Sequence, residues 1–260
     1  MTARREGEIR VFMARTAAPS TRLPLTTNDD VTDVTGQYST DPAPLARPLS
    51  RGERVLDNAI NVLGLTGSVV GVVILMGLAI ERNDPLLTLS LGLYSAGLLA
   101  MQASSALYNA YSGSPRAELF RRLDHAAIFV MIAGTYTPFL IVKMGNTWGI
   151  ALLLYVWLVA FLGMIVKLLS VRRLERLSVI LYLFLGWTIL AAMPPLVDAV
   201  PLPAIVLLVA GGLLYSVGVV FYLWERLLYQ QAIWHGFVVA AAACHYVAVL
   251  GGVVLPETFS

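Results

Sequence analysis

Charge is scarce in this chain. Asp, Glu, Lys and Arg make up 13% of its 260 residues, against about 25% in a soluble domain. With 58% apolar residues and a mean hydropathy of +0.75, no water-soluble fold of this length hides so much apolar surface. The bilayer is its natural solvent. A net charge of +2 argues against a nucleic-acid partner. Cysteine occurs once, as Cys244 inside an apolar run. That excludes an intramolecular disulfide, and a lone cysteine is a poor zinc signature. No uninterrupted apolar stretch follows Arg4, Arg5, Arg10 and Arg15. A cleaved signal peptide is therefore not expected, and the first membrane span serves as its own insertion signal.

What the chain has is long apolar runs. Residues 1–49, rich in Thr, Ser, Asp and Pro without any period, are expected to form a disordered cytoplasmic tail. Residues 50–260 are expected to be a seven-helix transmembrane domain, with spans near 56–80, 86–110, 123–143, 148–169, 177–197, 203–225 and 231–254. Each is close to the ~20 residues that cross a ~30 Å hydrocarbon core. Breaks fall at Glu81-Arg82-Asn83-Asp84-Pro85, Ser112-Gly113-Ser114-Pro115, Gly145-Asn146, Arg172-Arg173 and Pro201/Pro203. An open sheet is excluded, because lipid satisfies no free strand edge. The fold class is all-α and polytopic. Lys and Arg set the orientation. Arg47, Arg51, Arg54, Arg116, Arg121, Arg122, Lys167, Arg172, Arg173, Arg176 and Arg226 share one side, with Arg82 and Lys143 opposite. The positive-inside rule puts the N-terminus in the cytoplasm and the C-terminus outside, in the plasma membrane. Pro138 and Pro194-Pro195 are expected to disturb their helices, and Gly67-x-x-x-Gly71 to make a close helix contact within the bundle.

Polar side chains inside spans face the bundle interior and often mark function. The second span carries Gln102, Ser105 and Asn109 on one face. The third opens on Asp124-His125. In the seventh, Gln231, His235 and His245 fall within a stripe of about 80°. Asp57 and Asn61 follow Glu53 in the first. The topology brings Asn109, Asp124, Gln231 and His235 to one depth in the cytoplasmic leaflet, with His245 about 15 Å deeper. Spacing alone leaves a plainer reading open, with Asp124 favoured by a helix N-terminus and His245 donating to a backbone carbonyl.

Several motifs carry a resemblance. Ser105-Ala-Leu-Tyr-Asn109, Leu123-Asp124-His125, Gly134-Thr135-Tyr136-Thr137-Pro138, Ala232-Ile233-Trp234-His235 and Cys244-His245-Tyr246 occur in that order. Over about residues 51–254 the chain resembles the haemolysin III family, the bacterial branch of the progestin and adipoQ receptor superfamily. That resemblance implies a zinc site at the cytoplasmic end of the bundle. One histidine comes from a Ser-x-x-x-His pattern in the second span and two from His-x-x-x-His in the seventh. A third-span aspartate lies beside the metal-bound water. Three imidazoles leave a position for water, whose pKa the metal lowers, while a carboxylate and a serine assist.

This chain departs from the pattern at the metal. Asn109 and Gln231 stand at two of the three ligand positions and only His235 is kept; Asn61 replaces a first-span histidine. Ser105, Asp124, His125 and His245 remain. Carboxamides are poor zinc ligands, so Asn109, Gln231, His235, Asp124 and Ser105 are expected to form a hydrogen-bonded cluster instead. The expected function is a metal-depleted, non-catalytic member that binds lipid or regulates the membrane, with membrane lipids as its partners. The alternatives are a zinc-dependent hydrolase of a lipid amide or ester, with Ser105 and Asp124 catalytic, and a pore, which no ring of charges supports.

Overall fold

The computed structural model describes residues 49–169 and 175–259. The tail expected over residues 1–49 lies, except for Leu49, outside the described residues, as do Arg172 and Arg173. Among the described residues there is no strand, and seven helical spans are long and apolar enough to cross a membrane. The chain is a multi-pass membrane protein. In order come α1 (Arg51–Glu81), α2 (Pro85–Ala110), α3 (Ala117–Pro138) continued by π turns (Phe139–Met144), and α4 (Thr147–Leu169). The fifth span joins α5 (Glu175–Trp187), a 3-10 segment (Thr188–Ala192) and α6 (Met193–Ala199). Then follow α7 (Leu202–Leu223) and α8 (Gln230–Val249), whose π turns run over Leu250–Val254.

Two helices begin earlier than hydropathy places them, because their first turns are polar, one held by a cap and the other by ion pairs. Ser50 and Glu53 form a capping box on α1, satisfying two backbone donors reciprocally. In the first turns of α3, Glu118 pairs with Arg121 at 2.8 Å and Arg122 at 3.0 Å. Outward-facing Val62, Leu63, Val73, Leu154, Leu158 and Phe161 are largely exposed, which suits a surface solvated by lipid.

Helices α2 and α3 pack backbone to backbone. A Cβ on Gly97 would meet the Val130 carbonyl oxygen at 3.0 Å and the Met131 Cα at 3.1 Å. A Cβ on Gly134 would meet the Leu93 carbonyl oxygen at 3.1 Å. Small residues allow such approach where lipid supplies no hydrophobic drive. On the other flank of α3, the Phe129 ring fills the notch left by Gly163 of α4. The expected Gly67/Gly71 contact is half present. Gly71 lies under Tyr246, whose hydroxyl donates to the Gly71 carbonyl at 2.8 Å, whereas Gly67 faces open space.

The proline sites differ from each other. Past Pro138 the chain widens into π turns, ended by Gly145 at φ 56°. In the fifth span the interruption precedes Pro194-Pro195, which sit in the first turn of α6, where a missing N–H is harmless. The break itself is held by Tyr136. Its hydroxyl lies 2.9 Å from the Leu185 carbonyl and 2.7 Å from that of Gly186, and accepts the Ile189 N–H at 2.7 Å. Tyr136→Phe should therefore destabilise the protein by about 2 kcal/mol, the cost of a buried backbone donor left without a partner. Thermal unfolding in detergent measures this, and an unchanged melting temperature would show that the break stands without the hydroxyl.

Candidate functional site

The buried stripe of α1 is polar over its first three turns. Glu53, Asp57 and Asn61 precede Gly64, Ser68, Gly71, Leu75 and Ala79. Each of the three carboxylate or amide groups has partners from afar. Glu53 accepts the Ser50 N–H at 2.8 Å and the Tyr229 N–H at 2.9 Å. Tyr229 has φ 60° and caps α8. Glu53 thus ties the start of α8 to the start of α1, and further along the two helices, four residues past Glu53 and six past Tyr229, Asp57 and His235 meet.

Asp57 is the hub of the site, at 2% exposure. Its Oδ1 accepts from His235 Nδ1 at 2.5 Å, and its Oδ2 from Asn109 Nδ2 of α2 at 2.7 Å. Asn61 Nδ2 donates back to the Asp57 carbonyl at 2.9 Å and lies 3.2 Å from His235 Nδ1. An acceptor at Nδ1 fixes the tautomer: the proton sits on Nδ1, and Nε2 is left as an acceptor. Nε2 faces Ser105 Oγ of α2 at 3.2 Å. Asp124 of α3 stands beside Ser105, within reach of its hydroxyl and near His235. Asp57, Ser105, Asp124 and His235 all lie within about two helical turns, ~11 Å, of one end of the bundle.

Asn61, Asn109 and His235 gather on Asp57, Ser105 joins through the far nitrogen of His235, and Gln231 makes no hydrogen bond to any of them. His125 points elsewhere: its Nδ1 lies 3.4 Å from Lys167 Nζ, and its ring meets Tyr222 edge-on. His245 sits deeper, 3.2 Å from the Leu208 carbonyl, in the space that Gly211 leaves. Asp57 was not among the sequence-derived site residues. Its signal was the i, i+4 pair with Asn61 inside an apolar span.

Beside the cluster runs an apolar cavity of about 150 Å³ among α2, α3, the fifth span, α7 and α8. Ser105 and Asp124 line it at the cluster end and Phe139 and Leu196 near the other. Asp124 and Phe139 lie fifteen residues apart on one helical run, so the lining residues cover about 22 Å of that run. Leu190 lines it and is 53% exposed on the outside of the bundle.

Residues 59–246 match the family model described as Haemolysin-III related. The chain belongs to that family. It is 33% identical over 198 residues to the Hemolysin-3 homolog of Bacillus subtilis (strain 168), covering 76% of this chain and 93% of that protein. It is 34% identical over 198 residues to Hemolysin-3 of Bacillus cereus, covering 76% and 90%. The Monocyte to macrophage differentiation factor of Homo sapiens is 28% identical over 163 residues, covering 60% and 67%. In this haemolysin-III related chain the donors do not fit the three-imidazole zinc site that the resemblance implies. Of the three ligand positions only His235 carries an imidazole, its two nitrogens face Asp57 and Ser105, and Asn109 and Gln231 offer carboxamides.

Proposed function

We propose that this protein binds a single-chain portion of a membrane lipid in the cavity, with the lipid's polar group on Ser105 and Asp124. In this reading the cluster centred on Asp57 takes the place of the metal. One observation carries it: the cavity is apolar along its walls, with the polar groups of Ser105 and Asp124 at one end. An engineered apolar cavity of about 150 Å³ takes a benzene-sized guest, so roughly six carbons fit inside and the rest extends past Leu190. Arg51, Arg54, Arg116, Arg121 and Arg122 favour an N-terminus inside the cell. The polar end of the cavity then lies in the cytoplasmic leaflet.

Lipid extraction and mass spectrometry of the purified protein test this. Wild type should retain about one lipid per chain, and Ile205→Trp or Met131→Phe, which fill the cavity, should lower that several-fold with the melting temperature kept. A wild-type protein without bound lipid, or filled variants that retain as much as wild type, would overturn the proposal.

A further inference from the structure

We infer that Asp57, His235 and Ser105 form an acyl-transfer triad that needs no metal and hydrolyses an ester or amide bond of the lipid held in the cavity. The inference rests on the lipid-binding reading and adds a reaction to it. Three facts support it. Ser105 Oγ, His235 Nε2, His235 Nδ1 and Asp57 Oδ1 form a continuous line of contacts, 3.2 Å at the serine, within the reach a nucleophile and its base require. The carboxylate is held by Asn109 and Asn61, so the imidazole is oriented before any substrate arrives. And Ser105 lines the cavity, so the nucleophile meets the chain's polar end.

The chemistry balances with water as the second reactant. Ser105 Oγ bonds to the carbonyl carbon of the lipid as its proton passes to His235 Nε2, and the carbonyl electron pair moves onto oxygen. That pair returns, the bond to the leaving alcohol or amine breaks, and Nε2 gives the leaving group its proton. Water then adds to the acyl-Ser105 ester, passing a proton to Nε2. The bond from carbon to Oγ breaks, Oγ regains the proton, and the fatty acid departs. Asp57 keeps the Nδ1–H bond throughout and stabilises the imidazolium. Gln102, one turn along α2 from Ser105, is buried, lines the same cavity and has no hydrogen-bond partner among the described residues. Its amide nitrogen packs against Gly64 of α1. Asp124, beside Ser105, accepts from a hydroxyl or amide N–H of the lipid.

The test uses the full chain in detergent, with chelator present, and a hexadecyl fluorophosphonate, which transfers its phosphonyl group to an activated serine with loss of fluoride. One adduct per chain is expected on Ser105, located by tandem mass spectrometry and missing from Ser105→Ala. The labelling rate should fall at least about a hundredfold in His235→Gln and in Asp57→Asn. If His235→Gln does not fold, Asp57→Asn carries the comparison. An unlabelled Ser105 in wild type, or labelling at an unchanged rate in both variants, overturns the triad. Lipid retained by a wild type whose Ser105 does not react overturns the triad alone. Ser105 labelling by a methyl fluorophosphonate in a protein that retains no lipid supports the triad and overturns the lipid reading.

Discussion

Asp57→Ala should destabilise the protein by about 3 kcal/mol, a fall of roughly 6–12 °C in melting temperature. The size follows from what the carboxylate holds. It receives His235, Asn61 and Asn109 from three helices, in a place where water does not substitute. Removing one partner of a buried polar network costs the desolvation of every donor left behind, about 1–3 kcal/mol each. The full sum is not reached, because Asn109 is only half buried and Asn61 keeps the Asp57 backbone carbonyl. Asp57→Asn should cost less, since the amide still accepts on one oxygen. Thermal unfolding of both variants in one detergent decides the matter. A melting temperature for Asp57→Ala within a degree of wild type would mean that the network bears no part of the helix packing.

Gly97→Leu should prevent folding, seen as loss of the monodisperse peak on size-exclusion chromatography in detergent. At Gly97 the atoms facing a new side chain are backbone atoms of Val130 and Met131, and backbone cannot rotate away. Gly97→Ala calls for a few tenths of an ångström and should cost about 1–3 kcal/mol. Leucine forces α2 from α3. Because Ser105 is two turns beyond Gly97 and Asp124 precedes Gly134 on the partner helix, the alanine variant should also displace these two groups relative to each other. A Gly97→Leu protein that folds and melts as wild type would show that the backbone contact is dispensable.

The seven spans were legible because each is a run of about twenty apolar residues between polar or proline-bearing breaks, and lipid leaves the backbone no other choice. The helix starts were less so. Hydropathy begins at the first apolar turn, whereas α1 and α3 begin in polar turns held by Ser50 with Glu53, and by Glu118 with two arginines. The site was half legible. Helix direction alone brought Asn109, Asp124 and His235 to one end. It did not show that Asp57 would be their centre, because that depends on the rotation of α1 about its axis, set by Glu53 and Tyr229. Gln231, expected beside His235, lies one turn nearer the helix end and makes no bond to the cluster. Tyr136 was read as part of a motif. Its partners, the freed backbone groups of Leu185, Gly186 and Ile189, come from an irregular segment that no periodicity announces.

The half-exposed position of Leu190 on the cavity wall changes how occupancy is to be counted. An occupant entering past Leu190 arrives sideways from the surrounding lipid and never dissolves in water. Its effective concentration is then a mole fraction within the bilayer. Diluting a vesicle suspension tenfold leaves the fraction of loaded protein unchanged, whereas diluting the same lipid with an inert one inside the bilayer lowers that fraction along a saturation curve.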